Sequence, residues 1–210
     1  VREHRYVKLF EPARCLVCFK TIHHPSFLIE FLADPVLCRD CFRAFSIYFK
    51  QEQHFDLTIQ FLYRYNDYFR SLLYRYKGQY DLALAPVFCY PFYLEIKKKY
   101  REHILVPAPS SFLQNEKRGF APMLEIAKTL QLPIFVGLYK KQEYKQSDQN
   151  YADRKQVYNV IDIKNPEALK DKKVLLIDDV MTSGHTLQAC VNCIKKGHPS
   201  KIDLLVLAKR

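Results

Sequence analysis

No apolar run in this 210-residue chain reaches the roughly 18 residues that a bilayer-crossing helix needs. The longest stretches, Leu82 to Leu94 and Val174 to Ile177, are short or are broken by proline or charge. The opening segment, Val1 to Arg14, is charged and has no apolar core, so it does not read as a secretory signal. Internal repeats and low-complexity tracts are also missing. These absences predict a soluble cytoplasmic protein, either one medium domain or a core of about 150 residues with a small module attached.

Acidic residues are scarce too, 22 against 33 basic ones, for a formal net charge of +11. The excess is uneven. Residues 42–104 hold ten basic and six acidic side chains, residues 164–210 hold nine and five, and the rest is closer to balance. Such a surface favours polyanionic partners, nucleic acid above all, although a surface that is merely soluble and basic gives the same count.

What the chain does have begins with seven cysteines. In a cytoplasmic-type protein they do not suggest disulfides. Cys15 and Cys18 form one CxxC pair and Cys38 and Cys41 another, with nineteen residues between the pairs. Two such knuckles fit a tetrahedral four-cysteine site for structural Zn2+, and a module this small would take its folding energy from the metal. His23 and His24 lie between the knuckles, where four thiolates leave them no ligand role. Cys190 and Cys193 repeat the spacing inside a helical pattern beside Leu187, Ala189 and Ile194, and with Cys89 they read as small buried hydrophobes. A zinc-binding module over 1–50 and a second domain over 51–210 are the predicted organisation.

The second half alternates strand-type and helix-type stretches. His103 to Val106, Ile134 to Val136, Lys173 to Ile177 and Ile202 to Leu207 read as strands, and Pro122 to Leu130 and Thr186 to Lys196 as helices. That order predicts an α/β fold with a parallel sheet flanked by helices. Gly197, just past the last helix, suits a left-handed terminating position. The polar stretch Lys140 to Gln156 reads as a lid.

Within this half, VLLIDDVMTSGHT (Val174 to Thr186) runs from a buried strand through two acids into a hydroxyl-rich turn that opens a helix. The strand delivers Asp178 and Asp179 to its carboxyl end, where open α/β sheets bind ligands. Thr182, Ser183, Gly184, His185 and Thr186 follow; Gly184 removes a Cβ, and helix-start N–H groups with the hydroxyls can surround a phosphate dianion. An ordinary strand-to-helix turn also uses hydroxyl caps, but two adjacent acids beside a bare phosphate site would be odd. They fit a ligand that also carries hydroxyls, as a ribose does.

A different pattern occupies Tyr63 to Arg70 and Tyr74 to Lys77, where aromatic and basic residues interleave. Rings that stack on unpaired bases, with cations along the phosphates, suit single-stranded nucleic acid. Core packing explains the rings as well: Phe61, Tyr63 and Tyr65 alternate as one face of a strand, and Phe69, Leu73, Tyr76 and Tyr80 have helical spacing. Either way Arg64, Arg70, Arg75 and Lys77 are free to meet phosphates.

The Val174–Thr186 segment resembles the phosphoribosyl pyrophosphate motif of type I phosphoribosyltransferases. That resemblance implies that Asp178 and Asp179 hold the ribose hydroxyls, that Thr182 to Thr186 hold the 5-phosphate, and that Mg2+ accompanies the pyrophosphate. It also assigns a weaker pyrophosphate loop to Ala108, Pro109 and Ser110 within Val106 to Ser111. Together with the cysteine knuckles, the chain resembles the competence protein F family (ComF, ComFC and GntX-like proteins). The likeness includes Tyr74 to Gly78, Arg118-Gly119-Phe120 and the Gln146 to Arg154 stretch. It implies a type I phosphoribosyltransferase-like domain that handles incoming single-stranded DNA during natural transformation with DNA-uptake partners. Through such partners the protein would reach the inner membrane. The alternative is a metabolic phosphoribosyltransferase with a small nitrogenous acceptor, in which Lys140, Lys141, Lys145 and Arg154 meet the pyrophosphate when the lid closes. Where the family often has Arg and Asn-Gln, this chain has Gln114, Ala121 and Pro122, so ligand binding is better supported than turnover.

Overall fold

The computed structural model describes residues 13–22, 35–54, 56–141 and 161–210. Its strands are β1 (Ile47–His54), β2 (Leu57–Arg64), β3 (His103–Pro107), β4 (Leu138–Lys140), β5 (Ile161–Ile163), β6 (Lys173–Met181) and β7 (Lys201–Lys209). The α-helices are α1 (Arg39–Arg43), α2 (Asp67–Gly78), α3 (Tyr93–Lys99), α4 (Phe112–Arg118), α5 (Pro122–Thr129) and α6 (His185–Lys195). Five strands make the central sheet in the order β1-β2-β7-β6-β3, and β4 pairs with β5 in a separate two-stranded ribbon. Every contact within β2-β7-β6-β3 is parallel; β1 alone adds antiparallel to the edge.

The interior strands are apolar on both faces, as a sheet covered by helices requires. On β6, Leu175 and Ile177 face one apolar cluster while Val174 and Leu176 face the other, and on β7 Leu205 and Leu207 oppose Leu204 and Val206 in the same way. The first cluster takes Phe69, Leu72 and Tyr76 of α2, Met123 and Ile126 of α5, and also Cys15, Leu37, Cys41 and Phe45 from the cysteine segment. The second takes Leu187, Cys190, Val191 and Ile194 of α6 with Ile161 and Ile163 of β5.

Helix ends follow local chemistry. Asn66 caps α2 by accepting a hydrogen bond from the Phe69 N–H at 2.8 Å. Gly119 ends α4 with φ +82°, a conformation that disfavours any residue with a Cβ. At the end of α6 the left-handed residue is His198 (φ 52°), not Gly197. Gly197 serves close approach instead: a Cβ there would lie 2.2 Å from the carbonyl oxygen of Pro166.

Three further details depart from the sequence reading. Ile134 makes only an isolated bridge with Leu105, and the strand in that region is β4, four residues on. Phe61 and Tyr63 are both fully buried but belong to different apolar clusters, so they do not share a face. Tyr80 lies past the end of α2 and is 41% exposed, so the buried stripe is Phe69, Leu72 and Tyr76. His23, His24 and the segment 142–160, with Lys145 and Arg154, lie outside the described residues. No helix among the described residues is long and apolar enough to cross a membrane.

Candidate functional site

The carboxyl ends of β3 and β6 meet in a cleft of about 250 Å³. β6 carries Asp178 and Asp179 near its carboxyl end and finishes at Met181, and the turn after it runs through Thr182 and Ser183 to Gly184. Gly184 has φ +76° and immediately precedes α6, a conformation that needs glycine at the helix entry. The Ser183 hydroxyl lies 2.8 Å from Nδ1 of His185, tightening the turn. From β3, the ladder extends by one more bond, Ala108 N–H to the Ile177 carbonyl at 2.9 Å. That bond brings the Ala108-Pro109-Ser110 loop alongside. Ser110 is itself held by Asn115 at 2.5 Å. All five turn residues from Thr182 to Thr186, both acids, and Ala108, Pro109 and Ser110 line the one cleft.

Three more residues on its wall bear on what it can do. Gln114 and Pro122, two of the positions where the sequence departs from the pattern it resembles, line the cleft, and Ala121 lines an adjoining recess. Their differences therefore fall on the site itself. Lys77 also lines it, and its ammonium is ion-paired with the Asp179 carboxylate. Loss of hydration pulls Lys77 down to about 8, against the attraction of Asp178, with Arg118 and Lys140 adding repulsion. Loss of hydration likewise raises Asp178 to about 6, opposed by Lys77 and Lys140. The acids keep hydrogen bonds to their own turn: Asp178 accepts from the Asp179 N–H at 2.9 Å and Asp179 from the Val180 N–H at 2.7 Å.

Lys77 is held in place by the Arg118-Gly119-Phe120 segment. Arg118 Nε donates to the Lys77 carbonyl at 2.9 Å, the Phe120 and Tyr76 rings are 5.3 Å apart, and the Tyr76 hydroxyl donates to the Pro122 carbonyl at 2.7 Å. Two motifs that look separate in sequence thus form one support. The sequence reading gave Lys77 to nucleic acid; the structure places it on the wall of the cleft, and the one sequence signal for that was its place in the Tyr74–Gly78 segment.

The other three basic residues are scattered. Arg75 donates to the Val17 carbonyl at 2.9 Å and pairs with Asp81 at 3.0 Å, clamping the first cysteine knuckle to α2. The Arg64 guanidinium covers the Tyr48 ring at 4.3 Å. Arg70 lines a shallow recess with Tyr65 and Tyr74.

The cysteine knuckles converge. Cys15 and Cys18 sit in a turn closed by Phe19 N–H to Cys15 C=O at 2.8 Å, and Cys38 and Cys41 open α1. A bond from Leu16 N–H to the Val36 carbonyl at 2.9 Å ties the two together. All four sulfurs lie within 4.8 Å of one another, and those of Cys18 and Cys38 are 3.7 Å apart. Zn–S bonds of about 2.3 Å in a tetrahedron place neighbouring sulfurs about 3.8 Å apart. The donor set and its size fit a structural Zn2+ ion. Cys89, Cys190 and Cys193 are buried elsewhere, and Cys193 donates to the Ile161 carbonyl at 3.2 Å.

Comparison with known proteins agrees with this geometry. Residues 116–210 match the Phosphoribosyl transferase domain family. Competence protein ComFC of Bacillus subtilis is 30% identical over 151 residues, covering 70% of this chain and 62% of that protein. ComFC of Streptococcus pneumoniae is 26% identical over 208 residues, covering 87% of this chain and 92% of the relative. The chain thus spans less than two thirds of the Bacillus relative and most of the streptococcal one. A hypoxanthine phosphoribosyltransferase structure from Staphylococcus aureus overlaps 60% of this chain and 63% of its own at 12% identity. Its TM-score of 0.40 is too low to bear on the assignment.

The sheet, the phosphate-loop sequence and the matched domain define a phosphoribosyltransferase-fold protein with a four-cysteine module ahead of the fold. Similarity to the ComFC proteins, together with the cysteine cluster, fits the arrangement of a zinc-type module ahead of a phosphoribosyltransferase domain.

Proposed function

We propose that the cleft binds the ribose 5-phosphate part of phosphoribosyl pyrophosphate, and that the protein does so while handling single-stranded DNA taken up in natural transformation. The observation that carries this reading is the convergence of Asp178 and Asp179, the Thr182–Thr186 turn and the Ala108–Ser110 loop on one cleft. Carboxylates accept from ribose hydroxyls, and the start of α6 with the turn hydroxyls suits a phosphate. Mg2+ would ride on the pyrophosphate, held mostly by phosphate oxygens and water. Zn2+ would sit on Cys15, Cys18, Cys38 and Cys41 as a structural ion, since four protein ligands leave no open position. The net charge of +11 supports a polyanionic partner.

Calorimetric titration of phosphoribosyl pyrophosphate with Mg2+, repeated with a single-stranded oligonucleotide present, tests both halves. Saturable binding lost in Asp178→Ala and Asp179→Ala is expected, as is salt-dependent oligonucleotide binding. No heat from the pyrophosphate, or no oligonucleotide binding at low salt, sinks the corresponding half.

A second reading, a metabolic transferase, draws on the recess of about 160 Å³ beside the cleft. It shares Ala108, Pro109, Ser110 and Lys140 with the cleft and adds the apolar walls of Phe112, Leu124 and Leu138, room for a small flat acceptor. Pyrophosphate release with one member of a panel of nitrogenous bases supports it; release with none removes it.

A further inference from the structure

We propose that the opposite edge of the central sheet carries a second anion site, built for a phosphate group. β3, β6 and β7 begin with His103, Lys173 and Lys201, which are register neighbours across the sheet. In parallel strands this is the end remote from the phosphate loop. A cleft of about 390 Å³ opens here, lined by Lys98, Lys99, Arg101, Glu102, His103 and Lys173.

The net charge in this cleft is positive. Four cations face one carboxylate, and Glu102 is already bonded to Lys173 at 2.5 Å and lies 3.8 Å from Arg101. Lys99 reaches Gln60 at 3.1 Å, a neutral hydrogen-bond partner. Nothing on the wall besides Glu102 repels an anion.

An independent observation concerns His103, which is 6% exposed. Its Nε2 lies 2.9 Å from Asp203, a residue that does not line the cleft. Its Nδ1 is buried and has no partner among the described residues. A buried polar atom without a partner is destabilising, and in folded proteins such atoms usually mark a missing one. Lys201 lies 2.8 Å from Asp203 and offsets its charge, so the carboxylate does not repel an incoming anion. An anion oxygen at Nδ1, with Asp203 at Nε2, would give each ring nitrogen a partner. Phosphate offers oxygens to that nitrogen and to Lys99, Arg101 and Lys98 at once. The same group comes either as the free ion or as the backbone of a nucleic-acid strand.

The test follows the His103 ring nitrogens by NMR in the full chain at constant ionic strength. Inorganic phosphate is titrated first, with chloride as control, and a ten-residue oligothymidylate second. Saturable shifts with phosphate and none with chloride are expected, weakened at least tenfold in Arg101→Ala/Lys173→Ala. Shifts with the oligonucleotide as well identify a strand as a source; shifts with phosphate alone identify the free ion. No shift from either probe, or unchanged affinity in the double variant, overturns the site. The readout is local to His103, so the outcome is independent of the cleft at the other end of the sheet.

Discussion

Lys77 and Asp179 form an ion pair inside the cleft assigned to ribose 5-phosphate. The pair occupies one of the two acids that the ribose hydroxyls would need, so ligand entry must loosen it. Once displaced, the ammonium becomes a donor for the ligand's phosphates. Lys77→Met should therefore weaken phosphoribosyl pyrophosphate binding by about tenfold, or ~1.4 kcal/mol, measured by calorimetry with Mg2+. Equal or tighter binding would mean that Lys77 only guards Asp179.

Acidity should bound this binding on both sides. Asp178 gains its charge as pH rises through about 6, and Lys77 loses its charge as pH rises through about 8. A carboxylate acceptor and an ammonium donor coexist only between those values. Affinity is expected to peak near pH 7 and to fall on either side, read from titrations at pH 5, 7 and 9. A flat profile contradicts the paired roles.

Asp178 also carries a stability signature. Its folded value of about 6 stands above the ordinary 3.8, so the folded chain holds this proton more tightly than the unfolded one. Stability from this group is present at low pH and is lost as pH rises from about 4 through about 6. Asp178→Asn keeps the oxygen that accepts from the Asp179 N–H and never ionises. Without ligand it should melt about 2–4 °C above the parent at pH 8, the shift expected for ~1 kcal/mol in a domain of this size. The gain should vanish near pH 4. A difference independent of pH would point to another cause.

The cysteine segment should not unfold by itself. Cys15, Leu37, Cys41 and Phe45 share the cluster that buries Tyr63, Phe69 and Tyr76. Metal analysis is expected to give about one Zn2+ per chain, the ratio for a site closed by four thiolates. Chelation or Cys41→Ser should lower the main calorimetric transition as a whole. A separate low-temperature transition with the main peak unmoved would show an independent module.

Much of this arrangement is legible in the sequence, because short-range patterns are tied to strong local physics. The buried strand before Asp178, Pro122 at the start of α5, and the two CxxC pairs each announce themselves within a dozen residues. The misses are long-range. Nothing local distinguishes Lys77 from Arg75, yet one points into the cleft and the other clamps Val17, because α2 packs between the sheet and the knuckle. Gly197 answers not to a left-handed turn, which falls on His198, but to the Pro166 carbonyl thirty-one residues earlier, which leaves no room for a Cβ. β1 pairs through a register that the alternation of Phe61 and Tyr63 does not reveal.

α2 joins two distant parts of the molecule through residues two apart. Arg75 grips the backbone of the first knuckle, and Lys77 reaches into the ligand cleft. Little more than half a helix turn separates them, so a displacement of one end bears on the other. With Zn2+ on the thiolates and phosphoribosyl pyrophosphate in the cleft, as proposed, metal and ligand would share a lever, and thermodynamic linkage would make the coupling reciprocal. Filling the cleft would then change the hold on the ion by the same factor by which losing the ion changes the hold on the ligand.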